Sequence, residues 1–258
     1  MVRLQIKDLV FSYGSARILD HITMELGSSE VLGIVGPNGA GKSTFIRCID
    51  RILVPEHGTV LLDGQDLETM DRMEIAKGIG YVPQSVSTVF PATVFDTVLM
   101  GRRPHLGWRS SEEDIDRVLE VLTMLKIKHL AMRDFNEISG GQQQKVLIAR
   151  ALAQDSGIVL LDEPTSNLDI KHQLEVMEIM RELVSKKGIS VMMAIHDLNL
   201  AARYSDRIIM LNGGSIRDVG DPVSVLTADN IQSVYGVEVI VKHEADKPYI
   251  IPIRSFGD

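Results

Sequence analysis

The run Gly36-Pro37-Asn38-Gly39-Ala40-Gly41-Lys42-Ser43-Thr44 constrains this chain more than any other feature, because it follows the apolar stretch 31–35 and leads into a helical pattern. It matches the phosphate-loop template G-x-x-x-x-G-K-[ST] in the strand-then-helix setting that the template requires. Glycines let the backbone close around an anion with its N–H groups pointing inward, and the next helix begins with its positive dipole end at the phosphates. Lys42 adds a full charge, and the Ser43 hydroxyl is a hard oxygen suited to Mg²⁺. The motif therefore implies a bound nucleoside triphosphate.

With 258 residues the chain suits one large domain or two small ones. At this size roughly 70–75% of the unfolded surface can be buried without staples. The single cysteine, Cys48, falls in the helix after the phosphate loop. It excludes an intramolecular disulfide, reads as a small core residue, and points to a reducing cytosolic compartment. Acidic residues outnumber basic ones, 35 to 27, for a formal net charge of -8, which argues against a nucleic-acid binder with a wide basic face. No apolar run approaches the roughly 18 residues of a membrane span. The alternating start Met1-Val2-Arg3-Leu4-Gln5 is unlike a signal peptide. The expectation is a soluble protein that meets a membrane only through a partner.

Short apolar runs at 31–35, 79–82, 158–161, 189–195 and 208–211 are bounded by turn residues. Several lack alternation, as strands covered on both faces do. Helical spacing marks 44–53, 142–154 and 172–187, the last with Leu174, Met177, Met180 and Val184 along one stripe. The alternation predicts an α/β fold with a mostly parallel core sheet, whose ligands sit beyond the carboxyl ends of the strands. Two regions break the rhythm. Residues 3–26 read as an antiparallel β piece around Ser12-Tyr13-Gly14-Ser15. Residues 92–135 read as helices only, with Ile115, Val118, Leu119, Leu122 and Leu125 at helical spacing, and suggest an inserted all-helical subdomain.

The strand 158–161 ends in Asp162-Glu163, at the sheet edge where a nucleotide would lie. Asp162 is placed for the Mg²⁺ shell, and Glu163 for a general base that polarises a water on the γ-phosphate. Gln84, after the strand 79–82 and Pro83, offers an amide oxygen to the metal. His196 ends the strand 189–195 and could contact the γ-phosphate. The remaining histidines, His21, His57, His105, His129, His172 and His243, show no metal-ligand spacing, so no metal beyond nucleotide-bound Mg²⁺ is expected.

Ile138-Ser139-Gly140-Gly141-Gln142 opens the helix that runs to Gln154. Ser139 reads as an N-cap, and the two glycines expose N–H groups at a positive helix end, a second anion cradle. Past Lys145 the helix is apolar nearly all round, as a buried helix is. On its own, Ser-Gly-Gly-Gln is equally a capped helix start.

The order of elements adds what no single motif carries. Phosphate loop, glutamine after a strand, helical insert, Ser-Gly-Gly-Gln, Asp162-Glu163, Ser166-Asn167-Leu168-Asp169 and His196 follow one another in a sequence that resembles the ATP-binding cassette (ABC) ATPases over nearly the whole chain. The resemblance implies an ABC-type core over 1–91 and 136–221, a helical subdomain over 92–135 and a C-terminal appendage over 222–258. It implies ATP with Mg²⁺ as cofactors, Tyr13 stacked on adenine, Ser139 to Gln142 as the family signature, and Asp169 in the segment that touches the opposite subunit. It also implies a head-to-tail homodimer in which the signature of one copy seals ATP held by the other, with nucleotide driving an open-to-closed cycle. Ile138 stands where leucine is usual, a volume-conserving change.

Gly101-Arg102-Arg103-Pro104-His105 and the C-terminal run from Leu226 through Tyr235 to Ile253 resemble importer ATPases for iron-siderophore, haem or cobalamin-type chelates. Such an ATPase would sit on the cytoplasmic membrane face, bound to integral permease subunits and served indirectly by an external substrate-binding protein. A soluble ABC ATPase of a cluster-assembly system, or the ATPase of an efflux pump, is the alternative.

Overall fold

The computed structural model describes residues 2–84, 92–105, 110–166, 168–244 and 246–256. Two long strands lead, β1 (Val2–Tyr13) and β2 (Ala16–Gly27), followed by β3 (Val31–Val35) and α1 (Lys42–Ile49). Next come β4 (His57–Leu62), β5 (Gln65–Asp66), α2 (Arg72–Gly78) and β6 (Ile79–Val82). The helices α3 (Val94–Leu99), α4 (Glu112–Met124) and α5 (Gly140–Ala153) precede β7 (Ile158–Asp162), α6 (Ile170–Lys187), β8 (Ser190–Ala194) and α7 (Leu198–Tyr204). The chain closes with β9 (Arg207–Asn212), β10 (Ser215–Gly220), α8 (Pro222–Val225), α9 (Ala228–Tyr235), β11 (Val237–Glu244) and β12 (Lys247–Ser255). Residues 106–109 of the expected helical insert, and Asn167, lie outside the described residues.

The fold is α/β. Its central sheet has six strands in the order β10-β9-β3-β8-β7-β6, parallel except for β10, which runs antiparallel to β9. A four-stranded antiparallel sheet, β2-β1-β4-β5, holds the expected N-terminal β piece, and β11 pairs with β12 in a separate ribbon.

The missing alternation now has a cause. Every residue of β3, β7 and β8 is buried, and consecutive side chains enter different layers. Leu32, Ile34, Ile158, Leu160, Met192 and Ala194 pack toward Phe45 and Ile46 of α1 and Leu19 of β2. Val31, Val35, Val159, Leu161, Val191 and Met193 pack on the opposite side with Val146 and Ile148 of α5 and Met177 and Met180 of α6. Each large aliphatic chain buried this way contributes about 1.5–3 kcal/mol, so the strands are fixed on both faces.

One expected stripe is rotated. Ile115 is exposed while Asp114, Val118, Val121 and Leu122 are buried. Asp114 is the third residue of a capping box started by Ser111, whose N–H and hydroxyl donate to its carboxylate at 2.9 and 2.7 Å. Arg102 Nε donates to the same carboxylate at 2.9 Å, which draws that side of α4 inward. Between 93 and 137 the described residues form helical segments and a single bridge, Thr93 to Asp134. Among the described residues no helix is long and apolar enough to cross a membrane.

Candidate active site

The phosphate loop leaves β3 at Val35 and must turn at once. Gly36 has φ 152°, and a Cβ there would lie 2.4 Å from the Leu211 carbonyl oxygen. Gly41 has φ 97°, with the Ile18 carbonyl and the Leu19 side chain at 3.0 and 2.9 Å from any added Cβ. Only glycine fits either position. The helix α1 then begins at Lys42, two residues earlier than its apolar spacing suggests, and ends at Ile49.

Lys42 is buried and bends back over the loop, with Nζ donating to the carbonyls of Gly36 at 2.8 Å and Pro37 at 3.0 Å. Burial pulls its ammonium below the ordinary lysine value, opposed by the charges of Glu163 and Asp162. A cavity of about 220 Å³ opens here, lined by Tyr13, Ile18, Asn38, Gly39, Gly41, Lys42, Ser43, Thr44 and Glu163. Pro37 and Ala40 complete the loop, Ala40 N–H donating to the Pro37 carbonyl at 3.2 Å. Tyr13 is half exposed, its ring edge-on to Phe11 with centroids 4.9 Å apart, and so presents aromatic surface at the cavity mouth. A larger cavity of about 330 Å³ between α1, α2, α5 and the helical insert contains none of the expected site residues.

Asp162 is fully buried at the end of β7. The Ser43 hydroxyl donates to its Oδ1 at 2.6 Å, and Arg47 Nη2 approaches Oδ2 at 3.3 Å. A hydroxyl and a carboxylate held together are two hard oxygens of the kind Mg²⁺ takes, so this pair fits that ion. Glu163, the next residue, sits at φ 52°. Such a conformation costs a non-glycine residue about 1–3 kcal/mol and persists only where neighbours hold it. Here they do. Gln84 Nε2 donates to Oε2 at 2.6 Å, His196 Nε2 pairs with Oε1, and the Glu163 carbonyl accepts from Ser166 N–H and Oγ at 3.1 and 2.9 Å.

Sheet order explains the convergence. The strands β6, β7, β8 and β3 are consecutive neighbours, and at or just past their carboxyl ends stand Gln84, Asp162 with Glu163, His196, and the phosphate loop.

The second cradle lies elsewhere on the chain. Ser139 caps α5 in a reciprocal box with Gln142, whose N–H donates to Ser139 Oγ at 3.4 Å while Gln142 Oε1 accepts from Ser139 N–H at 3.1 Å. Gly141 carries the His172 ring against it, 2.9 Å from where a Cβ would be. Neither these residues nor Gly140 line the nucleotide cavity. Asp169 caps α6 and accepts from His172 N–H at 2.9 Å and from its Nδ1 at 2.8 Å, its own side chain largely exposed.

Arg47 and Tyr81 were not anticipated from motifs. Arg47 lies four residues after Ser43 on α1, so both face Asp162, and that spacing is the signal in the sequence. Tyr81 precedes Gln84 on β6 and brings its hydroxyl to 3.5 Å from Asp162.

The family model for ABC transporters matches residues 19–166. The chain belongs to the ABC transporter ATP-binding family. It is thus an ATPase chain that binds nucleotide. This ABC ATPase is 46% identical to an uncharacterised ABC transporter ATP-binding protein of Methanocaldococcus jannaschii over 97% of this chain and 98% of that protein. It is 37% identical to the ferric enterobactin transport ATP-binding protein of Escherichia coli, covering 98% and 95%. Among solved structures it is similar to a chain described as a metal-chelate type ABC transporter in an inward-facing conformation, with TM-score 0.86, 28% identity and 98% coverage of both. It is also similar to a bacterial ABC transporter cassette solved as a dimer, with TM-score 0.75, 31% identity and coverage of 85% and 98%.

Proposed function

We propose that this chain is the ATP-hydrolysing subunit of an importer that takes up a metal chelate, a ferric siderophore, haem or cobalamin, through a separate membrane permease. The observation that carries the import reading is the nearly end-to-end match to a ferric enterobactin transport ATP-binding protein, joined by the metal-chelate type structural neighbour. The core is assigned to 1–91 and 136–221, the helical subdomain to 92–135 and the appendage to 222–258.

In this reading Tyr13 stacks on adenine, and Gly36 to Thr44 wrap the triphosphate. Lys42 gives up its two carbonyl partners for phosphate oxygens, regaining by charge what burial costs it. Ser43, Asp162 and Gln84 would hold Mg²⁺, which neutralises charge on the β- and γ-phosphates when bound. Glu163 takes the proton from the attacking water, and His196, already paired with it, contacts the γ-phosphate. Ser139, Gly140, Gly141 and Gln142 of a second copy close the site, with Asp169 at the subunit contact. The cradle's separation from the cavity within one chain and the dimeric structural neighbour support that arrangement. The homodimer would work beneath permease subunits on the cytoplasmic face, with an external binding protein delivering cargo.

Uptake of labelled ferric siderophore, haem and cobalamin by cells with and without the gene tests the import reading. Loss of uptake of one of them is expected. Undiminished uptake of all three would refute it.

A further inference from the structure

The C-terminal ribbon carries no residue of the site, yet it is attached to it at α7. This helix begins immediately after His196, its N-cap Asp197 accepting from the N–H groups of Asn199 and Leu200 at 2.7 and 3.0 Å. Asn199 turns outward and grips β12 by both ends of its amide. Its Nδ2 donates to the Ile250 carbonyl at 3.1 Å, and the Ile250 N–H donates to its Oδ1 at 2.7 Å. A side-chain amide that satisfies both backbone groups of one strand residue sets that strand's position along and across the helix. Lys247 adds a bond to the Ser205 carbonyl at the other end of α7, at 3.2 Å, and Ile250 is buried with Val239 in the same core layer as Ala201 and Tyr204.

We propose that the C-terminal ribbon forms a brace for the ATPase site, with Asn199 a positioning residue for His196. The route at Asn199 is short. β12 is bonded to Asn199, Asn199 lies in the first turn of α7, and the Asp197 cap joins that turn to His196. The ribbon thereby fixes the angle at which α7 leaves β8, and with it the reach of the imidazole toward Glu163.

Steady-state ATP turnover of the full chain separates this from a merely structural role. Asn199→Ala should lower kcat about tenfold with KM for ATP within about twofold, the size expected when two positioning hydrogen bonds are lost. Asn199→Asp keeps the acceptor for Ile250 N–H and should recover part of kcat. In a His196→Ala background, Asn199→Ala should add less than about a twofold loss, because the residue it positions is gone. Full kcat in a folded Asn199→Ala, or an undiminished tenfold loss on top of His196→Ala, overturns the brace. If Asn199→Ala does not fold, Asn199→Asp, which loses the bond to the Ile250 carbonyl, decides, and a wild-type kcat in it overturns the proposal. The brace rests on the role given to His196, and the two fail separately. Undiminished turnover in His196→Ala refutes that role, whereas a slow His196→Ala beside a fully active Asn199→Ala refutes only the brace.

Discussion

The Ser43 hydroxyl donates to Asp162 Oδ1 at 2.6 Å across 119 positions of sequence, joining the helix that starts at the phosphates to the strand that carries the carboxylates. Under the proposed function both oxygens would hold Mg²⁺. Ser43→Ala should therefore abolish the tightening of ATP binding by Mg²⁺, measured as the ratio of Kd values with EDTA and with Mg²⁺. A wild-type ratio would remove Ser43 from the metal site.

Lys42 is held ready by two backbone carbonyls while burial depresses its pKa, so its charge is stabilised fully only when phosphate arrives. Lys42→Ala should weaken ATP binding by more than about tenfold, a loss above roughly 1.4 kcal/mol. Equilibrium titration with a fluorescent nucleotide would show it, and tight binding would contradict the phosphate-loop assignment.

Ser139 and Gln142 cap their helix away from the nucleotide cavity. Ser139→Arg should leave binding to the monomer intact and abolish the ATP-dependent dimer, read by size-exclusion chromatography in a Glu163→Gln background, where turnover is expected to be slow. Dimers that persist would mean that the cradle does not act on a second copy.

Asp50, just past α1, has its carboxyl pushed up to about 7 by burial, against an unperturbed value of about 3.9. Between those values the folded chain keeps a proton that the unfolded chain has released, so stability falls as pH rises through this window, and the penalty is complete above about 7. Asp50→Asn removes it. The variant should melt several degrees above wild type at pH 8, with the difference closing toward pH 4, in thermal unfolding followed by circular dichroism. An equal shift at both pH values would place the cause outside this titration.

The parts of the fold legible in the sequence were those where one local rule suffices. β3, β7 and β8 read as strands because both faces are buried, and β1 with β2 because they alternate. The strands β4, β5 and β10 were missed, being edge or near-edge strands whose half-exposed residues carry little apolar signal. Ile115 misled because a buried carboxylate, Asp114, took the inward position that its periodicity claimed. Gly101 and Arg102 stood out only as a resemblance. In the structure Gly101 lies against the Arg150 carbonyl, 2.0 Å from where a Cβ would sit, and Arg102 bonds Asp114, the Ala153 carbonyl and Asp155, so this stretch clasps the helical insert to α5. Within the site, Lys42, Asp162 and Glu163 could be read from type and place. The contacts of Tyr81 with Asp162, and of Gln84 and His196 with Glu163, could not, because they follow from the lateral order of strands, which no local pattern encodes.

The chemistry assigned to Glu163 is tested most directly by measuring ATP binding and ATP turnover in parallel on Glu163→Gln. The substitution keeps the volume and a hydrogen-bond acceptor for Gln84 while removing the base. Binding should match wild type, and turnover should fall about 10²- to 10⁴-fold, a barrier raised by roughly 3–5 kcal/mol. Turnover equal to wild type would contradict the account.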